Sequence, residues 1–204
     1  MTKSGNLYIV SAPSGAGKTS LLKALTATIE NISTAISTTT RGIRSGEVDG
    51  VDYHFVSIEK FTLMIEQGDF IEHAEVFGNY YGTSKSHLID ALQQGQDMVV
   101  EIDWQGAQQV RNQLAEAISI FILPPSKNEL EKRLTGRGQD DPKVIKKRMD
   151  AAIKEISHYS EYDFIVVNDE FNVALADLEN IIKANRLLKT RQVENHSILI
   201  DDLL

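Results

Sequence analysis

An α/β architecture, a parallel sheet core flanked by helices, is predicted by two observations: short apolar β-rich runs recur along the chain, and each is followed by a stretch of helical period. The runs cover residues 7–11, 98–102, 118–123 and 164–167. After the first, Leu21, Leu22, Leu25 and Ile29 form one apolar stripe at three- and four-residue spacing. Residues 35–87 break the alternation with shorter strands, turn residues and many hydroxyl and aromatic groups, and are read as an insertion. Within it, strands at 53–56 and 70–76 flank a helix near 59–67, and Ser84 caps a helix running through Leu92. Ser126 caps a helix carrying Leu130 and Leu134, while Pro142, tolerated in a first turn, opens one carrying Ile145, Met149, Ala152, Ile153 and Ile156. Gly136-Arg137-Gly138-Gln139-Asp140-Asp141 joins those two through residues suited to flexible backbone, as a lid would. A last long helix is expected over 173–188. The organisation predicted is one unit over 5–188, with a core of 5–34 and 88–188, the insertion at 35–87 and a lid near 136–147. The tail at 189–204 ends in an apolar stretch that seeks its own core or a second copy of the chain, so a homo-oligomer is left open.

Composition narrows the function classes. A chain of 204 residues, 42% hydrophobic and 25% charged, suits one sizeable globular core and excludes collagen-like, disordered and low-complexity classes. The absence of cysteine removes disulfide scaffolds, thiol nucleophiles and thiolate zinc sites together. No apolar run approaches the roughly 20 residues of a membrane helix, and no apolar signal core precedes Leu7, so a cytoplasmic protein without a membrane partner is expected. A net charge of −8 argues against nucleic-acid binding through bulk charge. The five histidines, at 54, 73, 87, 158 and 196, form no metal-ligand spacing, and no serine nucleophile elbow is present.

The stretch Ala12-Pro13-Ser14-Gly15-Ala16-Gly17-Lys18-Thr19 stands between the first strand and the first helix. Its glycines let backbone amides converge on an anion, the helix start adds a positive dipole end, Lys18 reaches terminal phosphate oxygens and Thr19 offers a hydroxyl to magnesium. This is a phosphate loop with Ala12 where the usual pattern begins with Gly. A dinucleotide fingerprint fails, because Ser20 stands where its third glycine belongs. Farther on, Ser37-Thr38-Thr39-Thr40-Arg41-Gly42-Ile43-Arg44 supplies hydroxyls and two guanidiniums suited to a second phosphate, or simply a solvated loop whose arginines meet surplus acids.

Taken together with Gly46-Glu47-Val48, residues 72–82 (EHAEVFGNYYG), Asp103-Trp104-Gln105-Gly106, Pro124-Pro125-Ser126 and Gly136-Arg137-Gly138, these motifs, in this order, resemble the guanylate kinase family over about residues 6–188. Bacterial members commonly carry Ala at the position of Ala12. The resemblance implies a P-loop nucleoside-monophosphate-kinase fold, with the insertion as a small GMP-binding domain, and magnesium-dependent transfer of the ATP γ-phosphoryl group to GMP. It implies that ATP lies along Ala12 to Ser20, that Arg133, Arg137 and Arg148 reach its phosphates when the lid closes, and that Asn168 stands near the adenine. It implies that Arg41, Arg44, Tyr53 and Tyr81 hold the GMP phosphate, while Ser37, Glu72, Thr83 and Asp103 read or border the guanine. Lys18, Arg41, Arg137 and Arg148 are thereby the expected catalytic cations, and Thr19 and Glu101 the expected metal side.

Chemistry agrees at several of these positions. Guanine presents N1–H and an exocyclic amine as adjacent donors, which one carboxylate such as Glu72 can accept together; alone, Glu72 reads as a solvent-facing acid on a strand. Residues 127–148 hold eight basic against four acidic side chains inside an acidic chain, a local anion site or a solvated helix surface. Glu101 stands where relatives often place Asp, so direct contact with magnesium is left open. Three rivals share parts of the pattern: a kinase of another phosphorylated acceptor such as a ribose bisphosphate, a non-catalytic protein-binding module, and a P-loop GTPase. The retained Ser37, Arg41, Arg44, Glu72 and Tyr81, the intact loop, and the lack of an Asn-Lys-x-Asp sequence weigh against each in turn.

Overall fold

A computed structural model of the chain describes residues 4–76, 78–135 and 142–204. Strand β1 (Leu7–Ser11) runs into helix α1 (Lys18–Thr28), followed by β2 (Ile32–Thr34), β3 (Ser37–Thr39), β4 (His54–Phe55) and α2 (Ile58–Glu66). Next come β5 (Phe70–Val76), β6 (Asn79–Ser84), α3 (Lys85–Gln93), β7 (Asp97–Glu101), α4 (Trp104–Gln113) and β8 (Ile118–Leu123). The chain continues through α5 (Lys127–Thr135), α6 (Pro142–Ile156), a 3-10 turn (Tyr159–Glu161), β9 (Phe164–Val167), α7 (Phe171–Arg186), α8 (Lys189–Asn195) and α9 (Ser197–Leu203). Of the lid predicted near 136–147, residues 136–141, with Arg137, lie outside the described residues, and the rest belongs to α6.

Among the described residues, five strands form an all-parallel sheet in the order β2-β7-β1-β8-β9. Helices cover both faces, which is why β1 reads as a continuous apolar run rather than an alternating one. Tyr8 and Val10 pack on one side with Leu21, Leu22, Leu25, Leu178 and Ile182, while Leu7 and Ile9 pack on the other with Leu88, Ala107, Val110 and Tyr162. Burying each such Leu or Ile stabilises the fold by about 1.5–3 kcal/mol. The strands depart from expectation in two ways: β2, β3 and β6 were not expected at all, and β9 is placed differently. β2, three residues long, is too short to stand out in the sequence. β9 was expected as an ordinary core strand, but it is the sheet's edge, with Phe164, Ile165 and Val167 exposed and Val166 alone of its residues buried under α7.

Residues 37–84 build a second sheet in the order β4-β3-β6-β5, with β6 antiparallel to both of its neighbours. Its outer strand β5 would present unpaired backbone groups, and α4 of the core covers them. Gln113 Nε2 donates to the Ile71 carbonyl (2.6 Å), and Gln109 both accepts from the His73 N–H (3.1 Å) and donates to its carbonyl (2.9 Å). Gln109 and Gln113, four residues apart, share one face of the helix. The tail forms α8 and α9, leaving Ile198, Leu199 and Leu203 exposed. No helix among the described residues is long and apolar enough to cross a membrane.

Candidate active site

The phosphate loop sits at the carboxyl end of β1, beside the carboxyl end of β7, where Val10 pairs with Glu101. Ligands of open α/β sheets bind at such ends. Gly15 and Gly17 both hold φ of 90°, a conformation other residues reach only under strain. Gly17 caps α1 with no side chain involved, so the first-turn N–H groups have no intrahelical partner and face an anion's position. A Cβ on Gly17 would stand 2.5 Å from Asn168 Nδ2, which donates a 2.6 Å bond to the Ala16 carbonyl. Arg133 in turn donates to the Asn168 carbonyl at 3.1 Å. Asn168, expected near an adenine, is thus buried beneath the loop and fixes its backbone. Gly17→Ala is expected to cost about 1–2 kcal/mol from the left-handed backbone alone, with a further loss from the Asn168 clash. A lowered thermal midpoint checks this.

Lys18 extends from the loop to within 3.2 Å of the Ile102 carbonyl. Burial lowers its pKa, against the opposing pull of Glu101, Glu155 and Asp103. Thr19 Oγ1 donates to Glu101 Oε1 at 2.6 Å, which places the hydroxyl and the carboxylate of the expected metal side next to each other. That bond links the end of β7 to the start of α1. Two neighbouring oxygen ligands at the end of the loop suit a hard cation such as magnesium.

A cavity of about 350 Å3 opens beside Lys18. Glu101 and Asp103 of the core line it together with Ser37, Tyr53, Glu72 and Tyr81 of the second sheet, so residues expected on the donor and acceptor sides share one space. That volume lies within the range of small-molecule sites. Glu72 reaches it through a bulge. β5 pairs Phe70 with Ser84 but Glu72 with Thr83, so Ile71 is an extra residue and Phe70, Ile71 and Glu72 are buried in succession. Thr83 Oγ1 donates to Glu72 Oε1 at 2.6 Å. Burial, reinforced by the nearby Asp103, pushes the Glu72 carboxyl up to about 7 despite the Thr83 hydrogen bond. Asp103 caps α4, accepting from the Gly106 N–H at 2.8 Å.

The expected cations are placed differently from one another. Arg41 stands behind the aromatic wall of the cavity, 5.3 Å from the Tyr53 ring centroid, and forms a 2.7 Å ion pair with Glu47. Glu47 also accepts from the Arg44 backbone N–H at 2.8 Å, closing the 41–47 loop, while the Arg44 side chain is exposed. Arg148 donates to the Leu134 carbonyl at 3.4 Å, tying α6 to α5. Glu47, the organiser of the arginine loop, was legible as part of the family motif but not as a partner of Arg41. Glu155 gave no signal at all. From α6 it accepts a 3.2 Å bond from the Ser14 N–H of the phosphate loop, and burial raises its carboxyl pKa.

The guanylate kinase family model matches residues 4–185. Guanylate kinase of Alkalilimnicola ehrlichii is 56% identical over 200 residues, covering 98% of each chain, and that of Shewanella sp. strain MR-7 is 56% identical over 205 residues, covering 100% of this chain and 99% of the other. The crystal structure of guanylate kinase from Anaplasma phagocytophilum superposes with a TM-score of 0.77 at 36% identity, covering 98% of this chain and 95% of that one. With a family match over nearly its whole length, high identity to relatives of equal size and the same fold in a solved structure, the chain belongs to the guanylate kinase family.

Proposed function

We infer that the chain transfers the γ-phosphoryl group of ATP to the phosphate of GMP, giving ADP and GDP, within cytoplasmic purine-nucleotide metabolism. The observation carrying this reading is the single cavity that joins Lys18 of the phosphate loop to Glu72, Tyr53 and Tyr81 of the second sheet. The acceptor is a phosphate oxygen that is already ionised, so no general base is needed; positioning and charge neutralisation do the work. In one in-line step that oxygen forms a bond to the γ-phosphorus as the bond to the ADP oxygen breaks, leaving the electron pair on ADP.

Each side chain has a part in that step. Loop amides and the α1 N-terminus hold the donor phosphates, Lys18 offsets charge on the transferring group, and Asn168 keeps the loop in shape. Thr19 and Glu101 are the residues that would hold magnesium, which when bound would neutralise phosphate charge. Tyr53 and Tyr81 border the acceptor phosphate, and Arg41 supports them, with its Glu47 pair exchangeable for phosphate oxygens. Glu72 accepts the guanine N1–H and amine, with Ser37, Thr83 and Asp103 around it. Arg133 and Arg148 reach the donor phosphates from α5 and α6, and the family resemblance assigns Arg137, outside the described residues, the same part.

A coupled ADP-release assay offering GMP, dGMP, AMP and ribose bisphosphate separately tests the reading. Turnover with GMP and dGMP is expected; turnover with ribose bisphosphate in place of GMP overturns it. The protonation of Glu72 adds a pH signature. Only the carboxylate accepts both guanine donors, and a group titrating near 7 loses about tenfold of that form between pH 8 and pH 6. KM for GMP should therefore rise by about tenfold over that interval. The Glu72→Gln variant should lack this component, whereas protonation of the GMP phosphate affects both proteins and cancels in their ratio.

A further inference from the structure

Gly106 is the third residue of α4 and is buried. A Cβ built on it would stand 2.9 Å from Glu72 Oε2 and 3.2 Å from Ile102 Cβ. Its φ is not in the left-handed region, so the backbone does not require glycine there. What requires it is the space taken by the Glu72 carboxylate.

Three constraints decide where the strain of an added methyl would fall. The helix cannot back away easily, because Gln109 and Gln113, on the same face as Gly106, bind the backbone of His73 and Ile71 on either side of Glu72. Nor can the first turn of α4 rotate freely, since the Gly106 N–H is held by Asp103 Oδ1. Glu72 Oε1 is held in turn by the Thr83 hydroxyl. The atom left to move is Oε2, at the end of a flexible side chain.

We propose that Gly106 is a specificity-determining positioning residue: by carrying no side chain, it lets α4 press against β5 and leaves the Glu72 carboxylate standing where both of its oxygens meet the guanine edge. The inference rests on the guanylate kinase reading above and extends it to a residue that touches no substrate. A methyl at position 106 would swing Oε2 away and break the two-point match. GMP, with two adjacent donors, loses more by this than IMP, which lacks the exocyclic amine.

The test is steady-state kinetics of the full chain as wild type, Gly106→Ala, Glu72→Ala and the double variant, with ATP and magnesium and with GMP or IMP as acceptor. For Gly106→Ala, KM for GMP is expected to rise on the order of tenfold, short of the hundredfold that a full 1 Å misplacement can cost. KM for ATP and kcat at saturating GMP should stay within about twofold, and the preference for GMP over IMP should narrow. The thermal midpoint should be retained, since alanine is the better helix former. In the Glu72→Ala background, where the contact with Ile102 Cβ stays but the carboxylate is gone, Gly106→Ala should add nothing to KM for GMP. An unmoved KM for GMP in an active Gly106→Ala enzyme overturns the proposal, as do additive effects in the double variant. If Gly106→Ala fails to fold, recovery of folding in the double variant supports the clash with Glu72, and failure of both overturns it. A wild type that does not phosphorylate GMP sinks the functional reading itself and this inference with it, whereas an active wild type with an unmoved variant sinks the inference alone.

Discussion

Replacing Lys18 with alanine is expected to lower kcat by about 10²–10³-fold, the loss typical of deleting one donor aimed at developing charge. The ammonium projects from the phosphate loop into the shared cavity, beside the Ile102 carbonyl, with Glu101, Glu155 and Asp103 around it. Its partial burial makes its field strong there and keeps water from screening it. Because Lys18 stands on the donor side, KM for GMP should move by less than about threefold, so the defect appears in turnover. The coupled ADP-release assay reads both constants, and a variant retaining more than about a tenth of wild-type kcat would remove Lys18 from the chemistry.

Glu72→Ala has the other large effect, on selection rather than turnover. On the proposed reading, losing the carboxylate leaves the guanine N1–H and amine without acceptors in a buried site, and sites built around such hydrogen bonds discriminate by large factors. KM for GMP should rise by about 10²-fold or more, and the preference for GMP over AMP should collapse. A stability effect of opposite sign goes with it. Glu72 is buried and its pKa is raised from 4.5 to about 7, so the folded state carries a penalty for ionising it that is fully present above pH 7 and absent below 4.5. That shift corresponds to a penalty on the order of 3 kcal/mol. Glu72→Gln should therefore melt higher than wild type at pH 8 and lose that advantage as the pH falls toward 5. Thermal melts at the two pH values decide this, and a Glu72→Gln protein less stable at pH 8 would contradict the burial cost.

How far the site could be read in advance differs from residue to residue. The phosphate loop was legible because its parts are contiguous: a strand, two glycines, Lys18, Thr19 and a helix with an apolar stripe. The β1, β7 and β8 strands were legible because both of their faces are buried, so their apolar runs are nearly continuous, with Ser119 the one polar residue inside the β8 run. Glu72 carried no local signal of its own. Strict alternation from Phe70 would put Ile71 and Glu72 on opposite faces, and the extra residue at Ile71 changes the pairing, a change no side-chain pattern announces. Asn168 was placed near an adenine by family likeness, and the structure adds that its side chain donates to the Ala16 carbonyl. Nothing in the local sequence says that residues 152 apart will meet.

The chain's own residue pattern determined the parallel α/β core, the anion-binding loop and a reservoir of arginines and hydroxyls between residues 37 and 44, since propensity, periodicity and loop chemistry act over a few neighbouring positions. Only the tertiary structure decided which distant groups complete the site. The Glu155 carboxylate meets the Ser14 N–H across 141 residues, Glu72 turns inward at a bulge, and Gly106 makes room for it. Those contacts depend on sheet register and on the helix zipped against a strand edge, and a shift of one residue in the register would send the strand's side chains to the opposite face.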